Sequence, residues 1–302
     1  MAHPTARRRV ARSSALAPAA SRTHGKLVPL PWFPFPVLAS HGERSAGERI
    51  AQRAEAACEL LAKALGMRPE LSLVVLGRED WAHCAAVPDY GATHVGHAGE
   101  LVVGAEPADA WHAVSDFFAT RLSPRACARL TDIHGIDPVN GRGPALAALA
   151  EALIAHEIAH LVAAQAGVEF PRRWIEEAFA NYALVAVLGE TDPASLRLVG
   201  SLAEAAAKLD DALPTLAAFE AEFGRMDVVP SVLAELAITR GVYVAYAWGQ
   251  TAPLARFMAA FRDVRIDRDA DYELGRMLAT RVHPAIAAIP ARFAPARAGS
   301  AA

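Results

Sequence analysis

The chain has 302 residues, of which 53% are hydrophobic, and its formal net charge at pH 7 is −3. This length and apolar content allow one large or two modest domains with a substantial core. The balanced charge gives no reason to expect a nucleic acid or an anionic membrane as the main partner. Cys58, Cys84 and Cys127 are scattered and odd in number. They predict thiols in a reducing, cytoplasmic compartment, with secretion as the less favoured alternative.

The two ends of the chain are predicted to be flexible tails, at residues 1–45 and 291–302. The first tail contains a run of arginines at 7–9, then small residues, then a proline-rich stretch at 30–36. Such a composition is typical of a disordered segment. A basic start can also belong to a targeting peptide, but serines and prolines interrupt the continuous apolar core of roughly 7 to 15 residues that a secretion signal requires.

Residues 46–143 are predicted to form an α/β lobe. Apolar residues recur at helical spacing before Gly66, which ends the first helix. Short apolar runs that contain β-branched residues predict strands, and a segment rich in glycine predicts a loop. The expected elements, in order, are a helix at 46–66, strands at 71–76 and 100–104, a helix at 109–122 and a loop at 123–143.

The most informative segment is His156-Glu157-Ile158-Ala159-His160, inside a long apolar stretch. Two histidines four positions apart are offset by only about 40° on a helix of roughly 3.6 residues per turn, so both imidazoles can share one cation. Glu157 then lies beside the cation and can act as general base. With 11 His and 33 acidic residues, the pattern arises by chance about 0.04 times per chain. It predicts a zinc-binding helix, the alternative being a buried helix with two hydrogen-bonded histidines.

The apolar stretch at 146–164 also has the length of a membrane-spanning helix. It contains Glu151, Glu157 and the two histidines, and each of these side chains is costly in lipid. A helix that is apolar on most sides is equally typical of the core of a soluble domain. We therefore expect no integral membrane segment, and a helix that begins at Pro144, where a missing N–H does no harm.

Glu177 is the candidate third metal ligand. It follows His160 by 17 positions, which is enough chain to end the first helix at a glycine, turn through a proline and return as a second helix. Glu176 is a rival, but it points about 100° away around the helix and is expected to be solvated or salt-bridged. Residues 144–190 are thus predicted to form a zinc-binding helix pair.

These two segments resemble the gluzincin metallopeptidases, the thermolysin-like and aminopeptidase-like clan. In that clan H-E-x-x-H is followed by a glutamate in a W-x-x-E-G-x-A-x-Y type segment. Trp174, Glu177, Ala180 and Tyr182 match this pattern, whereas Ala178 stands where the family usually has glycine. The resemblance covers only the stretch from about 155 to 182.

The resemblance implies that His156, His160 and Glu177 hold one zinc ion per chain. It also implies that Glu157 is the general base and that Asn181, one turn beyond Glu177, orients a ligating imidazole. The function implied is that of a zinc-dependent hydrolase, a peptidase that acts on peptide or protein substrates. The alternative is a catalytically idle zinc-binding domain that recognises a peptide or a partner.

Two further features are implied by the same resemblance. The family has a sheet before the zinc helix whose edge strand pairs with the substrate, and residues 100–104 are our candidate for that edge, with an interior strand or an ordinary edge strand equally compatible. The family also supplies a tyrosine or histidine to stabilise the oxyanion. Tyr246 is the favoured residue and Tyr243 the second choice, although core packing would account for either.

The remaining residues, 191–290, are predicted to form a helical C-terminal lobe. Helices are expected at 193–208, 214–223, 230–248, 251–263 and 271–280. The whole chain is therefore predicted to be α+β, with a small N-terminal mixed sheet and helices, a zinc-bearing helix pair, and an all-helical C-terminal lobe. The zinc site should lie between the two lobes, a common location for a ligand pocket.

Overall fold

In a computed structural model, the described part of the chain comprises residues 27–96, 99–137, 139, 141–209, 211–262 and 271–293. Predictions for residues 1–26 and 294–302 lie outside it. The sheet region contains β1 (Val28–Pro29), β2 (Val37–Ala39), α1 (Arg44–Leu65), β3 (Leu73–Leu76), α2 (Arg78–Cys84), β4 (His94–Val95) and β5 (Leu101–Gly104).

The remaining regular elements of the described chain are all helical. They are α3 (Ala110–Arg121), α4 (Pro124–His134), α5 (Ala147–Ala152), α6 (Ile154–Gln165), α7 (Arg173–Thr191), α8 (Pro193–Ala206), α9 (Leu216–Glu222), α10 (Val228–Gly249), α11 (Ala252–Arg262), α12 (Asp271–Met277), a π-helical turn (Leu278–Val282), α13 (Pro284–Ala287) and a 3₁₀ turn (Ile289–Arg292). The prediction of an α+β fold with an N-terminal mixed sheet is confirmed.

The five strands form one sheet in the order β1-β2-β3-β5-β4. β2, β3 and β5 are parallel, and the two outer strands run antiparallel to their neighbours. Every residue of β3 and β5 is buried, as expected for central parallel strands. Because β5 pairs with β3 on one side and β4 on the other, the prediction of an edge strand at 100–104 is wrong. The outer strand is β4, whose two residues are too few to give a strand pattern in the sequence.

Part of the predicted N-terminal tail belongs to the sheet. β2 pairs with β3, Leu30 is only 2% exposed, and its backbone N–H donates to the Val37 carbonyl at 2.9 Å. Pro29 lies in the outer strand β1, a position that tolerates proline. The tail prediction is therefore wrong for residues 27–45, because pairing with a distant buried strand outweighs local composition, and residues 44 and 45 begin α1. At the other end, the Phe293 ring packs 5.6 Å from that of Phe219, so residues 291–293 also belong to the fold.

Two local predictions are wrong between β5 and the histidine helix. Residues 124–134 form α4 rather than a loop, because the Ser123 side chain accepts a hydrogen bond from a first-turn N–H and Pro124 begins the helix. The helix expected from Pro144 begins later. Pro144 forms an isolated β-bridge with Ile136, and the short helix α5 then precedes α6.

Helix α7 lies at the centre of the core. Every residue from Trp174 to Leu188 except Glu176 is buried, and α7 packs against α1, α6, α8, α9, α10 and α11. A helix surrounded in this way is expected to be apolar on all sides. Glu177 and Asn181 are the exceptions, four residues apart and therefore on one face. Buried polar groups need partners, so this face is where a functional site is expected.

Helix α10 is long and apolar enough, by length and composition, to cross a membrane, and half of its apolar window is buried within the fold. It packs against α7 and α8. A core helix of a soluble protein has the same properties. The absence of an integral membrane segment therefore stays a prediction.

The N-terminus of α7 is held by a carboxylate from α9. Glu220 accepts hydrogen bonds from the backbone N–H groups of Arg173, at 3.1 Å, and Trp174, at 2.9 Å. The first N–H groups of a helix have no partners within it, and negative charge there is favourable. This contact fixes the start of α7 one turn before Glu177.

We predict that Glu220→Ala lowers the free energy of unfolding by about 1–2 kcal/mol, because two N–H groups at the start of α7 lose their acceptor. Urea denaturation followed by circular dichroism measures this change. Glu222→Ala, at an exposed position of the same helix, is the matched control and should change stability by less than about 0.5 kcal/mol. Equal effects of the two substitutions would contradict the capping role of Glu220.

Candidate metal centre

The two histidines of α6 and Glu177 of α7 converge on one point. His156 Nε2 lies 3.1 Å from Glu177 Oε2, and His160 Nε2 lies 3.3 Å from the same oxygen. The two Nε2 atoms are 3.0 Å apart. One donor atom from each residue lies within 4.8 Å of the others, so the group could hold a metal ion. The structure thus brings together the three residues predicted as ligands.

The chemistry of this group fits a bound cation. Glu177 is 1% exposed, and its Oε1 atom has no hydrogen-bond partner. The Arg173 guanidinium is 3.6 Å from that oxygen, beyond hydrogen-bond distance. A buried acceptor without a partner is costly. The facing imidazole nitrogens also need a proton or a cation between them, so a metal ion would satisfy all three side chains at once.

The histidines and the glutamates of the site stabilise each other's charged forms and thereby shift each other's pKa values. Burial alone would lower the pKa of His160, but the Glu176 and Glu177 carboxylates outweigh it and raise the pKa to about 10. Burial would raise the pKa of Glu177, but His156 and His160 outweigh it and lower the pKa to about 2. Glu177 is therefore ionised at neutral pH, with a protonated imidazole beside it.

Polar side chains on the far side of each imidazole set its orientation. His156 Nδ1 lies 3.0 Å from Asn181 Oδ1, which accepts its proton and leaves Nε2 toward Glu177. His160 Nδ1 lies 3.5 Å from Glu176 Oε1, and the other Glu176 oxygen accepts from Arg173 at 2.9 Å. Glu176 is therefore salt-bridged, as predicted, and is not part of the ligand group.

A cavity of about 250 Å³ adjoins the site. His156, Glu157, Glu177 and Glu235 line one part of it, and no described lysine or arginine does. Burial raises the pKa of Glu157. The other walls are mainly apolar and include Trp111, Phe118, Leu153, Leu202 and Phe223. A large uncharged group could thus occupy the space beside Glu157 and the ligand group.

The structure does not bring Tyr246 or Tyr243 to this cavity. The Tyr246 hydroxyl packs against Gly189 of α7, which is 12 residues beyond Glu177 and therefore roughly 18 Å further along the helix. Tyr243 packs against Gly200 of α8 and lines a separate groove. The prediction of an oxyanion-stabilising role for Tyr246 is therefore wrong. The sequence of α10 did not indicate which part of the helix, along its axis, meets the site.

Sequence reasoning missed Glu235 of α10. Its Oε2 atom accepts a hydrogen bond from Asn181 Nδ2 at 2.7 Å. Burial, followed by the charge of Glu177, raises the pKa of Glu235 to about 8. The sequence did contain a signal, because Glu235 is the single acidic residue in the apolar run from 228 to 249. A lone acid in a buried helix needs a specific partner.

None of the protein-family models, curated proteins or solved structures compared with this chain matches it. A functional assignment therefore depends on the residues themselves. These residues form a group of two imidazoles and a carboxylate, and a mainly apolar cavity lined in part by Glu157 adjoins this group.

We predict that Glu177→Gln weakens metal binding at least about 100-fold, because the amide removes a charged ligand from the group. Competition with a chromophoric chelator measures the dissociation constant. Glu176→Gln is the matched control on the adjacent position, and it should weaken binding by about tenfold or less. If both variants bound metal equally poorly, Glu177 would not be a ligand.

Metal binding should also release protons. The raised pKa of His160, about 10, means that its imidazole carries a proton near pH 7.5, and a metal can bind only the deprotonated ring. Affinity should therefore rise as pH rises toward 10, by about tenfold per pH unit for each proton displaced. Calorimetric titration in buffers of different ionisation enthalpy should show release of about one proton per ion. Binding without proton release would contradict the ion-paired cluster.

Proposed function

We propose that the chain is a zinc-dependent peptidase of the gluzincin type, in which His156, His160 and Glu177 hold one zinc ion and Glu157 is the general base. The observation that carries this proposal is the convergence of both motif histidines and the downstream glutamate on one buried point. Glu157 lines the adjoining cavity. Two imidazoles and one carboxylate are a known ligand set of catalytic zinc sites, which leave a fourth position open.

The ligand separations are compatible with zinc. In a tetrahedral zinc site with bond lengths of about 2.0–2.1 Å, ligand atoms are roughly 3.3–3.4 Å apart. The three separations here are 3.0, 3.1 and 3.3 Å, so small side-chain movements would suffice. Magnesium and calcium favour more ligands and oxygen donors. When bound, zinc supplies Lewis acidity, which polarises a carbonyl group and eases deprotonation of water near neutral pH.

Glu157 is suited to move the proton in this reaction. It neighbours the ligand His156 in sequence, yet it is not one of the three converging side chains. Because burial raises its pKa, its carboxylate is a stronger base than an exposed glutamate. In the proposed reaction Glu157 takes a proton from the attacking water and passes it to the leaving amine.

A peptide is the substrate that the surroundings favour. The outer strand β4 has one side that pairs with β5, and its other side can accept an extended peptide as an added strand. β5, the neighbour of β4, packs against α6, the helix that carries Glu157. A bound peptide would thus pass close to the proposed base and place an apolar side chain in the cavity. Tyr246 has no part in this reaction.

We predict that Glu157→Gln lowers kcat about 10²–10⁴-fold, because it removes the base while all three ligands remain. Its zinc content should stay near one ion per chain, as measured by elemental analysis of purified protein. Glu169→Gln, at an exposed position beyond the end of α6, is the control and should retain full activity. Cleavage of an unbiased peptide library, followed by mass spectrometry, provides the assay.

The same assay separates the two functional classes. A wild-type chain that binds zinc and cleaves no peptide would support the alternative of an idle zinc-binding recognition domain. Full activity of Glu157→Gln would remove Glu157 from the mechanism. A wild-type chain that binds no zinc would overturn both alternatives.

A further inference from the structure

A hydrogen-bond chain runs from the ligand group into the C-terminal helices. His156 Nδ1 lies 3.0 Å from Asn181 Oδ1, and Asn181 Nδ2 donates to Glu235 Oε2 at 2.7 Å. The three residues come from α6, α7 and α10 respectively. The contact between Asn181 and Glu235 is a short hydrogen bond, with a Glu235 carboxyl oxygen as the acceptor.

The two ends of the Asn181 amide have opposite roles in this chain. His156 can offer the Nε2 lone pair to a metal only if its proton is on Nδ1, and that proton needs an acceptor. The amide oxygen is an acceptor, whereas the amide nitrogen is only a donor. An amide turned by 180° would therefore place two donors face to face and favour the wrong tautomer of His156.

We propose that Glu235 is a positioning residue for the metal centre, because its carboxyl oxygen accepts from the Asn181 amide nitrogen and so holds the amide oxygen toward His156. Through Asn181, Glu235 keeps the Nε2 atom of His156 unprotonated and directed at the ion. This inference rests on the metal site of the proposed function but not on peptide hydrolysis.

The position of Glu235 is well fixed for this role. Its neighbours in α10, Leu233, Ala234, Leu236 and Ala237, are all buried. Its backbone carbonyl accepts a hydrogen bond from the Thr239 hydroxyl at 2.7 Å. An acidic side chain among such neighbours is costly unless it has a specific partner, and the Asn181 amide supplies one.

Metal affinity tests the proposal directly. We expect Glu235→Leu to weaken zinc binding about 10- to 100-fold, the range observed when a group that orients a ligand is lost. Glu235→Gln should bind zinc within about threefold of the wild type, because its side-chain oxygen can still accept from Asn181. Equal weakening by Leu and Gln would show that Glu235 acts through its charge and would overturn the positioning role.

Repeating the Glu235→Leu substitution in an Asn181→Asp variant separates the positioning role from general damage to the fold. In Asn181→Asp both side-chain oxygens are acceptors, so His156 needs no help from Glu235, and the two carboxylates repel each other. Adding Glu235→Leu to Asn181→Asp should therefore leave zinc affinity unchanged or increase it. A 10- to 100-fold loss in this background as well would overturn the proposal.

Each variant is compared by chelator competition, with circular dichroism to verify that it is folded. Because the readout is the zinc dissociation constant, a chain that binds zinc without peptidase activity still tests Glu235. Absence of zinc binding by the wild type would overturn the proposal together with the metal site.

Discussion

The structure depends on the compensation of one buried negative charge. Glu177 lies in the enclosed part of α7, whose other buried residues are apolar except for Asn181, and an isolated carboxylate there is very costly. His156 and His160 approach it from α6 and hold its pKa near 2. The second oxygen of Glu177 has no hydrogen-bond partner among the described protein groups, and Arg173 lies 3.6 Å from it. A divalent cation held by the same three side chains would give this oxygen a partner.

The rest of the fold holds these side chains at a common point. Glu220 fixes the start of α7, and the buried faces of α7 fix its direction. Asn181 contacts Nδ1 of His156 and Glu176 contacts Nδ1 of His160, so each imidazole has a partner that orients it. A metal site built in this way on packed helices is more precise than one on loops. Glu157 lies beside the group, on the cavity.

The parts of the site that the sequence predicted correctly depend on the geometry of individual helices. The spacing of two histidines on one helix, and of Glu177 on the next, is fixed by helix geometry. The interior position of β5 depends on pairing with two residues of β4, and the sheet contribution of Val37–Ala39 depends on a distant strand. Tyr246 and Glu235 lie on the same face of α10 but eleven residues, or roughly 16 Å, apart along the helix, and only the packing of that helix against α7 decides which one meets the site.

The central claim is that three side chains hold one ion and leave Glu157 free to act. A crystal structure of zinc-loaded protein, with anomalous data collected at the zinc absorption edge, tests it most directly. We expect a single peak about 2.0–2.2 Å from His156 Nε2, His160 Nε2 and a Glu177 oxygen, with Glu157 outside bonding distance. A peak elsewhere, or a zinc ion bound by Glu157 in place of Glu177, would contradict the account.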